Sequence, residues 1–308
     1  MFLKQFHFRM LVLLLLVAGA GAGYWLGRVA GQPEPVYAVE HSQSITVPKV
    51  ISSESPIEEI LMLMLHSHER WQSVDAQGEI EDSSGHQISH HLMVLQETQR
   101  GPFLVQSEFG LRGKNKSSLY VLDGVNLWKT QADLKIYTSQ PYYDDGFYPP
   151  ETLPAINSPD HPIISHPLER QFPSPLVELL FPVVVAQSMY LDVNHVSVIK
   201  TDEVAGRQTI VVQWLSHPLK QLFWVDTLTG SILKREIYSA YSPEGVLAET
   251  WYERTEITKI VFDVDKFPSE FRFQQDKGAR FVQPLEFEQI TSEDWMSQLE
   301  KQLLEKGE

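Results

Sequence analysis

The stretch "GHQISHH" brings His86, His90 and His91 close together, and His66 and His68 lie upstream, making this the densest set of metal-ligating side chains in the chain. Neutral imidazoles hold zinc when three or four of them converge on one ion. On a strand, however, His86 and His90 point to one face about 13 Å apart, at roughly 3.3 Å per residue, too far for one ion. The paired carboxylates Asp144-Asp145 and Asp263 with Asp265 have the residue types for acid and base work, but neighbouring acids in a loop are ordinarily solvated. There is no G-x-S-x-G stretch and no phosphate-cradling glycine loop. With 0 cysteines, thiol nucleophiles, cysteine-ligated zinc, disulfides and a lipid-modified cysteine are all excluded. No catalytic set, metal or cofactor follows from these residues, and the chain reads as a non-catalytic protein.

The aromatic residues are more informative. Trp128, Trp214, Trp224 and Trp251 all fall on predicted strands, where they serve either as ordinary core or as the lining of one surface. Between them lies "LVELLFPVVVAQSM", Leu176 to Met189, with too few polar residues to lie in water and a Pro182 that prevents one continuous helix. It reads as a lid folded over an apolar surface. Leu179, Leu180, Phe181 and Val184 of this lid, together with the four tryptophans, form the candidate ligand-binding set, and a greasy ligand is the chemistry such a set suits.

The elements that position these residues are mostly strands. Period-two segments recur near Ala76–Glu81, Gln87–Glu97, Phe103–Phe109, Ser118–Leu122, Asn126–Thr130 and Leu134–Ser139, and again at His195–Lys200 and Arg207–Leu215. From Leu222 to Ile257 the turn residues Thr229-Gly230 and Ser242-Pro243-Glu244-Gly245 separate three further strands, whose large residues fall on both faces. Such a sheet touches apolar material on one side and is partly covered on the other. Phe271 and Phe273 suggest a last strand. Pro141 to Pro182 holds ten of the 19 prolines, so no regular strand runs through it. Ser55-Pro56 with Glu58 and Glu59 opens a helix whose apolar stripe runs from Ile57 to Leu65, and Ser292 opens a second one carrying Trp295, Leu299 and Leu303.

Composition narrows the class. A chain of 308 residues with 43% hydrophobic and 11% aromatic residues can build a sizeable core. Its formal charge of −15 repels phosphates, so nucleic acid is excluded as a partner. Met10 to Gly27 carries no charge and follows Lys4 and Arg9. As a helix it reaches about 27 Å, close to the hydrocarbon thickness. Either it is a single-pass anchor, supported by Tyr24, Trp25 and Arg28 at its far end, or it is a signal peptide cleaved near Ala18-Gly19-Ala20. The anchor is the expectation taken forward, with the N-terminus inside and the rest exported. The organisation reads as segment 1–30, a linker over 31–55, a domain over 56–284 with the lid insert 141–190, and a helix over 285–308.

"LYVLDGVNLWKTQADLKIY" (Leu119–Tyr137), "VAGRQTIVVQWL" and "LFWVDTLTGSILKREIY" resemble, in that order, strands of the LolA-type outer-membrane lipoprotein carriers and the related RseB/MucB sensor domains. The resemblance runs over about Pro56 to Phe273. It implies a mainly β fold, an incomplete antiparallel β-barrel whose concave side is covered by helices and binds acyl chains. Two features depart from that pattern, the retained N-terminal segment and the long insert Pro141–Pro182. The leading functional expectation is a membrane-anchored, exported module that holds a lipid or lipoprotein acyl chain, each buried methylene contributing about 0.8 kcal/mol. The alternative is an RseB-like envelope sensor that binds a membrane protein such as an anti-sigma factor. A third is an exported hydrolase.

Overall fold

The computed structural model describes residues 47–96, 103–111, 118–142, 151–153, 163–172, 174–216, 218–239 and 250–293. The chain divides into two compact units at residue 43, and every described residue belongs to the second. Met10–Gly27, the turn 242–245, Asp144-Asp145 and Trp295 to Leu303 lie outside the described residues.

The period-two segments all form strands: β1 (Ser73–Asp82), β2 (Gln87–Gln96), β3 (Phe103–Leu111), β4 (Ser118–Asp123), β5 (Asn126–Gln131) and β6 (Ile136–Pro141). After the helical insert come β7 (Val196–Val204), β8 (Arg207–Ser216), β9 (Leu219–Asp226), β10 (Ile232–Ser239) and β11 (Thr250–Phe262). These pair in a single sheet of order β12-β6-β5-β4-β3-β2-β1-β11-β10-β9-β8-β7, where β12 is the two-residue Arg280–Phe281. β12 runs parallel to β6 and every other pair is antiparallel, so the sheet is mixed. It is also open, with β7 and β12 at opposite ends of the order. The expected wholly antiparallel incomplete barrel is therefore corrected to a mixed open sheet with flanking helices. The strand expected at Phe271 and Phe273 is a 3-10 turn, Pro268–Phe271, because Pro268 and the acid that caps the turn bend the chain away from the ladder.

One face of the sheet is apolar across six strands. Phe262, Val74, Val94, Val105, Leu122 and Leu127 stand opposite one another in successive pairs. Five of these, Val74, Val94, Val105, Leu122 and Leu127, are buried almost completely. The other face in the same region carries ion pairs: Arg254 with Glu81, Lys266 with Asp75, and Lys234 with Glu236. This alternation is the pattern of an antiparallel sheet with one wet face.

The apolar face is covered by helices from two distant stretches. α1 (Ile57–Leu65) comes first, and α2 (Pro167–Gln171), α3 (Pro175–Leu180) and α4 (Val183–Leu191) come from the insert. α1 is buried from Ile60 to Leu65 without a break, so it lies inside rather than on the surface its stripe suggests. A fifth helix, α5, spans 284–293, starting earlier than Ser292 because Phe287 seats against Ile136 and Val282.

The Thr229-Gly230 turn is where sheet and helices meet. Asp226 is buried and its Oδ1 accepts from the backbone N–H groups of Leu228 and Thr229 and from the Thr229 hydroxyl. Arg207 reaches both carboxylate oxygens, with Nε to Oδ2 at 2.6 Å and Nη2 to Oδ1 at 3.1 Å. Gly230 then takes φ +76°, and a Cβ there would sit 2.4 Å from the Leu63 carbonyl oxygen of α1. Two effects therefore select glycine, backbone conformation and close approach. Gly230→Ala is expected to destabilise by about 2 to 4 kcal/mol, since it adds strain to an overpacked contact. Urea denaturation checks this, and a loss under about 0.5 kcal/mol, the range of an ordinary surface change, would count against the contact.

Candidate functional site

The lid expectation placed Leu179, Leu180, Phe181 and Val184 over a ligand. In the structure Leu179, Leu180 and Phe181 are completely buried and Val184 half-buried, and Leu176, Val177, Val183, Ala186 and Met189 around them are buried too. The corner between α3 and α4 is pinned from both sides, because the Leu180 carbonyl accepts from the Ser67 hydroxyl at 3.1 Å and from the Ser231 hydroxyl at 3.4 Å. Arg235 of β10 donates to Glu178 of α3 at 2.9 Å and to Glu253 of β11 at 3.1 Å, tying the helix to the sheet. Phe181 packs edge-on against Trp71 and face-on against His166. The segment is wedged into the interior.

The four tryptophans do not share a surface. Trp214 stands opposite Gln221 and Val196 on the helix-covered face, and its indole N–H donates to Asp192 at 2.9 Å. Trp224 stands on the other face beside Val211, under the Lys234 ammonium, and donates to Asp202 at 2.9 Å. That bond, with Lys200 beside it, holds the Asp202 carboxyl well below the usual carboxylate range. Trp251 is half-buried opposite Tyr238, next to a register shift. Trp128 donates to Asp123 at 2.8 Å. A tryptophan buried against a sheet needs a partner for its N–H, and here each of three has an aspartate.

Trp128 belongs to a feature that sequence reading missed. Its ring stacks on Phe273 with centroids 4.7 Å apart and planes 1° from parallel; Tyr137 lies 5.5 Å from Phe273, and Phe281 lies edge-on to Tyr137 at 5.6 Å. Trp128, Tyr137 and Phe273 are half-buried, and Phe281 is 46% exposed. The row runs across β5, β6 and β12 on the face away from α1, α3 and α4. Leu285, at the start of α5 and four residues beyond Phe281, is 83% exposed. The signal was available in the pairing of "NLW" with "KIY", but Phe273 reaches the row from a coil and Phe281 from a two-residue strand, and no period marks either.

The histidines do not gather around one point: most pair with an acid or stack on a ring, and His68 and His166 lie buried side by side. His86 pairs with Asp82 and His91 with Asp75. His90 is stacked on Phe109, and burial pushes its imidazole down to about 4. His66 bonds Glu69 and the Glu151 carbonyl. Among the described residues no three His, Asp or Glu side chains converge as a metal site.

No family model matches the chain, and no curated protein matches it. Among solved structures it is similar to a chain of the Pseudomonas aeruginosa MucA/MucB complex, at 14% identity and a TM-score of 0.37, covering 70% of this chain and 60% of that one. A structure of MucB in complex with MucA(peri) is similar at 16% identity and a TM-score of 0.33, covering 66% of this chain and 55% of that one. A LolA superfamily protein from Nitrosomonas europaea is similar at 11% identity and a TM-score of 0.22, covering 68% and 96%. This chain thus spans less than two thirds of the two MucB-complex chains. The likeness is one of fold, partial and at low identity, and at these TM-scores it says nothing of ligand or partner.

The expectation of a membrane-anchored module holding an acyl chain under a lid is corrected on two counts. The space beneath the expected lid is occupied by the lid's own side chains. No helix among the described residues is long and apolar enough to cross a membrane, and Met10–Gly27, which carried the single-pass expectation, is not among them. Phe181→Asp puts an unpaired charge where Phe181 has 0% exposure, and a loss of about 3 to 5 kcal/mol is expected. Thermal melting checks it; a variant that melts with the parent would restore a peripheral lid.

Proposed function

We propose that this chain is a non-catalytic module of the cell envelope that binds another envelope protein, in the manner of a sensor or regulator, with the domain running over 56–284. The reading rests on one observation: a row of stacked aromatic rings, Trp128, Phe273, Tyr137 and Phe281, ends in solvent at Phe281, and Leu285, four residues further along the chain, is exposed as well. Large apolar side chains held rigid by stacking and left partly exposed supply binding area at little cost in side-chain ordering. An exposed apolar patch of this kind on a chain with so negative a charge marks a place where something else docks. The similar MucB structures contain MucA, which agrees with a protein partner without adding weight to it.

The test separates docking from folding. Phe281→Ser and Leu285→Ser change exposed side chains and are expected to shift stability by no more than about 0.5 kcal/mol. Each is expected to weaken capture of the partner from envelope extracts at least tenfold, measured by crosslinking from a photoreactive residue placed at Arg280. Undiminished crosslinking by both variants would refute this surface, and lost crosslinking together with a lower melting temperature would reassign the row to core.

A further inference from the structure

The histidines include one pair in which each ring has a buried nitrogen without a partner among the described residues. His68, in the 3-10 turn Ser67–Arg70, and His166, which caps α2, lie with ring centroids 5.1 Å apart, both buried. His166 Nδ1 accepts from the Leu168 N–H at 3.2 Å, so the proton of the neutral ring sits on Nε2. That Nε2 and the His68 Nδ1 are buried without a hydrogen-bond partner among the described residues. Aromatic rings surround the pair: Phe181 stacks on both, and Phe103 meets His166 edge-on.

The strap that carries His166, residues 163–172, buries Leu168 and Phe172 in the core and is tied by side-chain bonds to α4. At one end the Gln187 side chain of α4 holds the Ile164 backbone, accepting from its N–H at 3.2 Å and donating to its carbonyl at 2.8 Å. In the middle the His166 N–H donates to the Glu169 carboxyl at 2.7 Å, and at the far end Phe172 is buried beside Tyr120. The charged and titratable groups facing the pair are His66, Glu69 and Arg70 on the turn of His68, Glu169 and Arg170 on the strap, and Glu178 on α3, itself held by Arg235 of β10. None of them is hydrogen-bonded to the orphan nitrogens; Glu69 lies 4.0 Å from the other nitrogen of His68, Nε2.

We propose that this pair is a proton-operated latch: a proton on His68 or His166 releases the strap 163–172 from the helical cap while the sheet stays folded. A second proton on His166 must go to Nδ1, against the Leu168 N–H, and leaves a charge among Phe181, Phe103 and His68; a second proton on His68 leaves a charge beside Phe181 and His166 that Glu69, 4.0 Å from Nε2, offsets only in part. Release of the strap gives both rings to water. The inference stands apart from the partner reading above and needs no partner for its test.

Burial lowers His68 to about 4 and His166 well below its ordinary range, while burial raises Glu169 to about 8. The released strap has ordinary values near 6.5 for the imidazoles and 4.5 for the carboxyl. From about pH 6.5 down to 4.5 the released form therefore gains two protons on the histidines, while the closed form keeps the one on Glu169 that the released form lacks. Opening thus rises roughly tenfold per pH unit of acidification, two histidines against one carboxyl. Above about pH 6.5 only Glu169 acts, and opening rises with pH up to about 8. Protection of the strap has its maximum near about pH 6.5.

Hydrogen exchange of the full chain reads this directly, with rates corrected for the intrinsic pH dependence of amide exchange and the strands β7 to β9 as internal reference. Peptides covering 164–172 are expected to lose protection about tenfold between pH 6.5 and 5.0, because the slope is zero at the maximum and steepens only below it, with the reference strands unchanged. His68→Phe with His166→Asn, which keeps an acceptor for the Leu168 N–H, is expected to abolish the acid limb. Constant protection, a loss shared by the strands, or an acid limb that survives in the double variant would each overturn the latch. Should that variant not fold, histidine Cε1 shifts in the unmodified chain decide: both rings are expected to remain neutral at pH 5.5 in molecules whose strap is closed, and a ring that charges near its ordinary value with the strap protected overturns the proposal.

Discussion

The structure depends on how closely α1 approaches the Gly230 turn. An open sheet with one apolar face cannot leave that face wet, and the helices that cover it are short, coming from stretches more than a hundred residues apart in sequence. The turn after β9 fixes where they meet. Asp226 organises its backbone, Arg207 neutralises that buried carboxylate, and the missing Cβ of Gly230 lets the Leu63 backbone lie against the hairpin. Ser231, next along, reaches the Leu180 carbonyl, which Ser67 at the end of α1 reaches from the other side. The same few residues thus place α1, the α3–α4 corner and the hairpin.

That arrangement determines what the covered face offers a ligand. Helices held by side-chain bonds to one carbonyl and by the Arg235 bonds to Glu178 and Glu253 are fixed parts of the interior. Phe181 fills the centre rather than roofing it. What remains for recognition lies outside, on the far side of the sheet, where the β10, β11 and β1 region is occupied by paired charges and the β5, β6 and β12 region by stacked rings. Both ends of the sheet order bear devices that discourage strand addition. β7 has a register shift between Val198 and Lys200 and carries charged Lys200, Asp202 and Glu203, and β6 is capped by the short β12. Recognition through side chains on a face is thereby favoured over addition of a strand at an edge.

Most of the strands were legible because period two survives wherever one face is dry, as from Val74 to Ile80 and from Leu92 to Val94. The Thr229-Gly230 turn was legible for the same local reason. The depth of Leu176–Met189 was not. Apolar composition and Pro182 show that the segment avoids water, but a lid and a wedge have the same composition, and only the bonds from Ser67, Ser231 and Arg235 distinguish them. The tryptophans show the same limit: Trp128, Trp214 and Trp224 were recognised as important, yet their faces and their aspartate partners depend on register and on chain reversals that spacing does not encode. Phe281 reached the surface row by a two-residue parallel strand, too short to leave any period. α1 was found with its boundaries, but its burial on every side from Ile60 to Leu65 comes from the insert packing over it.

The central claim is that the helix-covered face is closed by the chain's own side chains. Native mass spectrometry of protein purified without detergent or delipidation tests this most directly. The expected result is a single species at the mass of the polypeptide, unchanged when the collision energy is raised. A stoichiometric adduct with the mass of an acyl lipid, released as the energy rises, would contradict it and return Leu179, Leu180 and Phe181 to the wall of a cavity.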